Sequence, residues 1–481
     1  MLNRKHIWLW LTLTLATITG FTQITQIPDV NFEQALIDLG IDKDGVINGS
    51  VATADIAGLT SLEIAGRGIE VLTGIQDFGS LEVLDCHNNL LQSMNLNENK
   101  ALTFLDCSDN KLTSLTPAQL SELTYLDCSR NLIAEINLSG NKNLKEFYCQ
   151  ENKLTNINFK DNLELIALNC ANNQFAVLNI TFNWKIEQLD FSSNLLTYVD
   201  LSNNVRVESL NCSNNPLTSV FLNNMTQLKR IEMVNNDQLT QVNFSHNYQM
   251  EEIICRDNDA LTSIDIYGLS ALTYLNCSNN QLQSLDLSTN TFIENLYCQN
   301  NQLKVLDLSK NVHLAFLKAQ DNELESLDLK NENNALMTGG ITNYDGNMIY
   351  VEGMNTLNNP LLLCIQVDNE DAARSGLSPY DSWLKDQTTS YAADCQAFLG
   401  IEEELLKSAI KLFPNPARNT VTIDGNEHLV KRVVIYAVSG KMIKRVESDF
   451  ENIDLSGLAP GVYIFHITLE QGELFKRCIK G

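Results

Sequence analysis

Residues Leu123–Asn143 read LTYLDCSRNLIAEINLSGNKN. Leu126 and Cys128 alternate with Tyr125 and Asp127, the period-2 signature of a short strand with one face buried. The same frame, L-x-x-L-x-C-x-x-N-x-L-x-x-L-x-L-x-x-N-x-x, recurs along the chain. Cys86, Cys107, Cys128, Cys149 and Cys170 are each 21 residues apart. Phe191, Cys212 and Met233 continue the column, and steps of 22 residues lead to Cys255 and Cys277, then steps of 21 to Cys298 and Ala319. Ile64, 22 residues before Cys86, begins it. A fixed short period predicts a solenoid in which each rung hides its apolar edge on its neighbours.

Asparagine marks the turn after each strand. Asn89, Asn110, Asn131, Asn152, Asn173, Asn194, Asn215, Asn236, Asn258, Asn280, Asn301 and Asn322 fall in one column. Backbone groups face inward at such a turn, and a carboxamide offers them two donors and an acceptor. This column is therefore read as scaffold. A second column, Asn99, Asn141, Asn162, Asn183, Asn204, Asn247, Asn290 and Asn311, repeats the logic in the other half of the rung.

The half-unit L-x-x-L-x-[L/C]-x-x-N-x-L resembles the leucine-rich repeat family over about 270 residues, in twelve consecutive matches. The resemblance implies a mainly β solenoid. No segment of the rung has room for a helix, so extended chain is expected on both faces, in about 13 rungs over residues 59–335. A gently curved or nearly straight stack of roughly 60 Å follows from the usual strand spacing.

The cysteine column is read as packing. Thiols in register point the same way, which suits neither a disulfide nor a tetrahedral zinc site. Phe191, Met233 and Ala319 stand in the same column, as a core position permits.

Both ends of the stack need covers. Residues 23–58 carry helical spacing through Phe32, Leu36, Ile37 and Leu39 and resemble the N-terminal cap of secreted bacterial proteins of this repeat type. Asp42, Asp44 and Gly45 hint at a calcium loop, but Gly40 and Val51 occupy two ligand positions, so a degenerate turn is expected. Residues 336–395 form the C-terminal cap, with Cys364 and Cys395 expected to pair as a disulfide in an exported chain.

Export is written at both termini. Residues 1–22 combine Arg4 and Lys5 with the apolar run IWLWLTLTLATITGF, a secretory signal that would leave Gln23 first. No later run is apolar enough to span a membrane, so the mature chain is expected to have no transmembrane segment. After a linker at 396–410, residues 411–481 change to short alternating strands of a small β-sandwich. LFPNP at Leu412–Pro416, VIYAVSG at Val434–Gly440, IDLSGLAPGVYI at Ile453–Ile464 and a basic end resemble a type A sorting domain of the type IX secretion system. That resemblance implies contact with the secretion machinery and release from, or attachment to, the outer face of a Gram-negative outer membrane. Cys478 is read as a core residue of the last strand.

A formal charge of −26 argues against nucleic acid and anionic lipid as partners. The outward strand positions are the candidate recognition surface. Glu63, Asp85, Asp106 and Asp127 make one stripe, with Phe104, Tyr125 and Tyr148 beside it, while Tyr274, Tyr297 and Phe316 recur near the far end. Asp265, Asp286, Asp307 and Asp328 make a stripe on the opposite face. Carboxylates and exposed aromatics suit an extracellular protein or glycan, and packing between rungs is the competing explanation. None of the usual hydrolase, metalloprotease or phosphate-loop motifs occurs, and no cofactor, metal or catalytic residue is expected. The expected function is non-catalytic binding or adhesion; a passive surface-layer component, or an inhibitor or enzyme acting on extracellular polymers, are the alternatives.

Overall fold

A computed structural model describes residues 23–344, 347–396, 410–424, 430–437, 441–469 and 472–481. The expected signal at 1–22 and nearly all of the expected linker lie outside them. The chain divides into two compact units, residues 1–303 with 317–319, and residues 304–316 with 320–481.

The first unit is the repeat stack. Three-residue strands from Ser61–Glu63 to Asn295–Tyr297 lie side by side in parallel and in chain order, one per rung. Leu84 pairs with Leu105, Leu105 with Leu126, and Leu126 with Phe147, so every repeat meets its neighbour at the same position. Leu84, Leu105, Leu126 and the cysteines from Cys86 to Cys298 are fully buried, while the residues flanking each leucine face outward. Burial is thus shared along the stack rather than concentrated in a centre.

The carboxamide column locks the rungs together. Asn131 is 6% exposed; its Oδ1 accepts from Leu112 N at 2.8 Å. Its Nδ2 reaches Cys107 O, Cys128 O and Ser129 O at 3.0–3.1 Å. One side chain therefore joins its own rung to the preceding one. Asn110, Asn173 and Asn194 make the same set. In the second column Asn141 Nδ2 donates to Pro117 O and Leu120 O of the rung below, at 2.9 and 2.8 Å.

Each first-column Asn follows a residue held at positive φ. Asn88, Asp109, Arg130, Glu151, Asn172 and Ser193 all lie between φ 51° and 56°. This left-handed step turns the chain from the strand toward the opposite face, and Asn and Asp tolerate it best among residues with a side chain.

Regular pairing on that opposite face is local in this unit. Gln241–Asn243 pairs in parallel with Ser263–Asp265, where the rungs lengthen to 22 residues. Elsewhere the second half runs as turns and unpaired extended chain, with a bridge at Leu115–Ile136.

Residues 23–58 hold the helix Val30–Asp38, whose N-terminus is capped by Asp29, its carboxylate accepting from Asn31 N and Phe32 N. Phe32 stacks on Phe78 with ring centroids 6.2 Å apart. Buried Glu33 accepts from the N–H groups of Asn48, Gly49 and Ser50, and Asp44 from Val46 N and Asn48 Nδ2. These carboxylates serve the turn itself.

The second unit contains the parallel strands Val305–Asp307, Ser326–Asp328, Cys364–Gln366 and Ser390–Ala392. Cys364 and Cys395 are disulfide-bonded, their Cα atoms 5.8 Å apart. From Lys411 two antiparallel sheets share one core, with Leu412, Val421, Ile423 and Ile453 from one and Val433, Ile435, Phe465 and Ile467 from the other. Cys478 is fully buried within it. Among the described residues no helix is long and apolar enough to cross a membrane.

Candidate binding face of the solenoid

Strand alternation puts the first and third residue of every three-residue strand outside and the middle one inside. Glu63 lies opposite Asp85, Asp85 opposite Asp106, and Asp106 opposite Asp127, so the expected acidic stripe is contiguous. The next residue in that column is Tyr148, opposite Asp127. Phe104 and Tyr125 occupy the other outward column, opposite each other. Their rings stack at 4.3 Å between centroids with 9° between planes, and Tyr125 lies 5.6 Å from Tyr148. Three aromatic rings thus cross the sheet face diagonally beside three carboxylates.

The acidic stripe has a structural task. One oxygen of Asp85, Asp106 and Asp127 accepts the N–H two residues ahead, from His87, Ser108 and Ser129. Asn169, Asn211 and Asn276 make the same bond in their rungs. The side chain at this position therefore ends the strand, whatever else it does. Burial raises the Asp127 carboxyl above its usual range. Burial, and then the bond to Glu146, push the Tyr148 phenol up to about 12. Burial and the neighbouring carboxylates raise Tyr125 as well. Both phenols stay neutral donors at physiological pH.

His87 was not singled out by sequence. It stands where most rungs carry Ser or Ala, so the D-C-H triplet against the recurrent D-C-S is the signal that could have found it. Its Nδ1 lies 2.6 Å from Asp85 Oδ1 and 3.9 Å from Asp106 Oδ2. The bond to Asp85 raises its pKa.

Beyond Tyr148 the face continues into a shallow cavity of about 270 Å³ lined by Asn169, Gln188, Asp190, Asn211 and Glu232 among others. None of these five belongs to the sequence-derived set.

The far-end set divides. Tyr297 is 2% exposed and packs against Tyr274 with centroids 5.5 Å apart, so its ring is core rather than contact surface. Tyr274 is half-buried. Phe316, half-buried, lies in the second unit. Among the opposite-face carboxylates, Asp265 and Asp286 belong to the first unit; Asp307 and Asp328 lie opposite each other in the second. All four accept the N–H two residues ahead.

The column thiols are not reactive groups. Burial drives Cys107, Cys149, Cys255 and Cys298 well above the usual thiol range, which removes the thiolate that nucleophiles and metals need.

Residues 411–481 match the secretion system C-terminal sorting domain family. No match to a curated protein is found. Among solved structures, the chain is similar to the functional domain of InlJ from Listeria monocytogenes, which includes a cysteine ladder. There the TM-score is 0.50 and identity 21%, over 95% of this chain and 98% of that one. It is also similar to an internalin (inlF) from Listeria monocytogenes, with a TM-score of 0.53 and 19% identity over 63% of this chain and 94% of that one. The APL1 leucine-rich repeat domain gives a TM-score of 0.51 and 22% identity over 59% and 78% of the two chains. The solenoid has the leucine-rich repeat fold, and the chain carries a type IX secretion sorting domain at its C-terminus.

Proposed function

We propose that this chain is an exported, non-catalytic binding protein that holds an extracellular partner on the outer face of its parallel sheet, from Asp85 to Glu232. The supporting observation is the unbroken run Phe104–Tyr125–Tyr148 set against Asp85, Asp106 and Asp127. Aromatic faces and carboxylates together favour a protein segment rich in Lys and Arg, whose cations meet both ring faces and acidic oxygens. The sorting domain supports delivery to, or release from, the outer face of a Gram-negative outer membrane. A fold does not name its ligand, so the face carries the reading and the neighbours' activities do not.

The test is retention of extracellular proteins on the immobilised exported protein, compared with Tyr125→Ala and Tyr148→Ala variants. Central aromatic anchors are worth about 2 kcal/mol or more, so capture of a specific partner should fall roughly 30-fold at unchanged melting temperature. Equal capture by the variants would favour a passive surface-layer component.

A further inference from the structure

The structure brings together Asp85, His87 and Asp106, a donor set with no counterpart elsewhere among the described residues. One ligand atom from each lies within 4.8 Å of the other two. We propose that these residues bind a borderline divalent transition ion, with zinc as the reference. The set shares Asp85 and Asp106 with the face assigned to the partner, and its test uses the metal alone, so the two readings fail separately.

The placement comes from the backbone. Asp85 and Asp106 are opposite residues of adjacent parallel strands, so the register holds their backbones side by side. His87 follows Asp85 by two residues, at the turn where its ring swings back over the same face. Ser108 N and Oγ both donate to Asp106 Oδ1, which leaves Asp106 Oδ2 as the oxygen facing the imidazole.

The distances suit a small ion. Bonds of about 2.0–2.1 Å in a tetrahedral site place ligand atoms about 3.3 Å from one another. The Nδ1–oxygen distances of 2.6 and 3.9 Å straddle that figure, each within about 1 Å of it. Charge fits as well: two carboxylates offset the divalent ion while the neutral imidazole supplies the nitrogen. A nitrogen ligand and only two carboxylates disfavour calcium and magnesium, which take oxygen shells of six or more. Three protein ligands leave a fourth position open toward solvent, since His87 is 42% and Asp85 27% exposed in their side chains. A donor group from a bound partner could complete it.

The experiment is calorimetric titration of the EDTA-treated exported protein with zinc chloride, repeated with His87→Ser and Asp106→Asn. Serine is the residue found at this turn in neighbouring rungs, as Ser108 and Ser129, so H87S preserves the rung. One saturable site is expected. H87S and D106N should weaken it by at least about tenfold, because even the outer partners of metal ligands are worth about 10–100-fold. Cobalt in place of zinc should give the visible absorption of a tetrahedral nitrogen–oxygen site in the parent and not in H87S. No saturable site at millimolar zinc, or equal affinity in parent and H87S, overturns the proposal.

Discussion

Replacing Asn131 by alanine tests how the stack is held. Asn131 satisfies Leu112 N, and its amide also serves three carbonyls in two rungs. Alanine strands the Leu112 N–H, a buried donor whose desolvation costs about 1–3 kcal/mol, and removes donors worth about 0.5–1.5 kcal/mol each to the carbonyls. Because the amide has two N–H groups shared over those carbonyls, the sum is about 2–6 kcal/mol, at the high end for a single substitution. Asn141 gives the internal contrast, because its amide donates to only Pro117 O and Leu120 O; Asn141→Ala should cost about 1–3 kcal/mol. Urea unfolding followed by circular dichroism gives the two totals. Amide exchange adds the location, with lost protection centred on Leu112 and its adjoining rungs, since coupling runs between nearest neighbours. An N131A cost under about 1 kcal/mol, or an N141A cost as large as that of N131A, would refute the assignment of the first column as the principal tie.

Two further changes probe the outer face and the turn. Burial raises the Asp190 carboxyl above its unfolded value, so the ionised form destabilises the fold increasingly as pH rises through the folded pKa. Asp190→Asn retains the acceptor for Ser192 N, as Asn169 and Asn211 do for their turns. The melting temperature should therefore rise at pH 7, with the gain disappearing below about pH 4 where both states hold the proton; a gain confined to acid would contradict the sign. Ser193 sits at φ 53°, so Ser193→Val should cost about 1–2 kcal/mol in thermal or urea unfolding while Ser193→Gly should not, and equal losses would exclude backbone strain as the cause.

The rung architecture was legible because its determinants repeat: Leu126, Cys128 and Asn131 each recur at a spacing that only stacking explains. The acidic stripe and its aromatic neighbours could also be placed, since period-2 alternation fixes which side chains share a face. Three features were not legible. The left-handed turn residue is Asn, Asp, Arg, Glu or Ser in successive rungs, so composition conceals a backbone angle that the structure shows to be constant. The dual role of Asp106 and Asp127 depends on a hydrogen bond two residues ahead, which a column of charges does not reveal. Tyr297 occupies an outward strand position and is nevertheless covered, because packing around a ring is not encoded by periodicity.

The nine thiols from Cys86 to Cys298 have a consequence before the native state exists. Spaced 21 to 43 residues apart, they can pair promiscuously in an unfolded chain that meets an oxidant, and each wrong bridge would trap rungs out of register. Once stacked, the same sulfurs lie beyond reach of any oxidant, and Cys364–Cys395 remains as the bridge between described residues. The yield of correctly built protein is therefore a race between rung closure and thiol oxidation, won by a topology whose contacts are all made with the adjoining repeat.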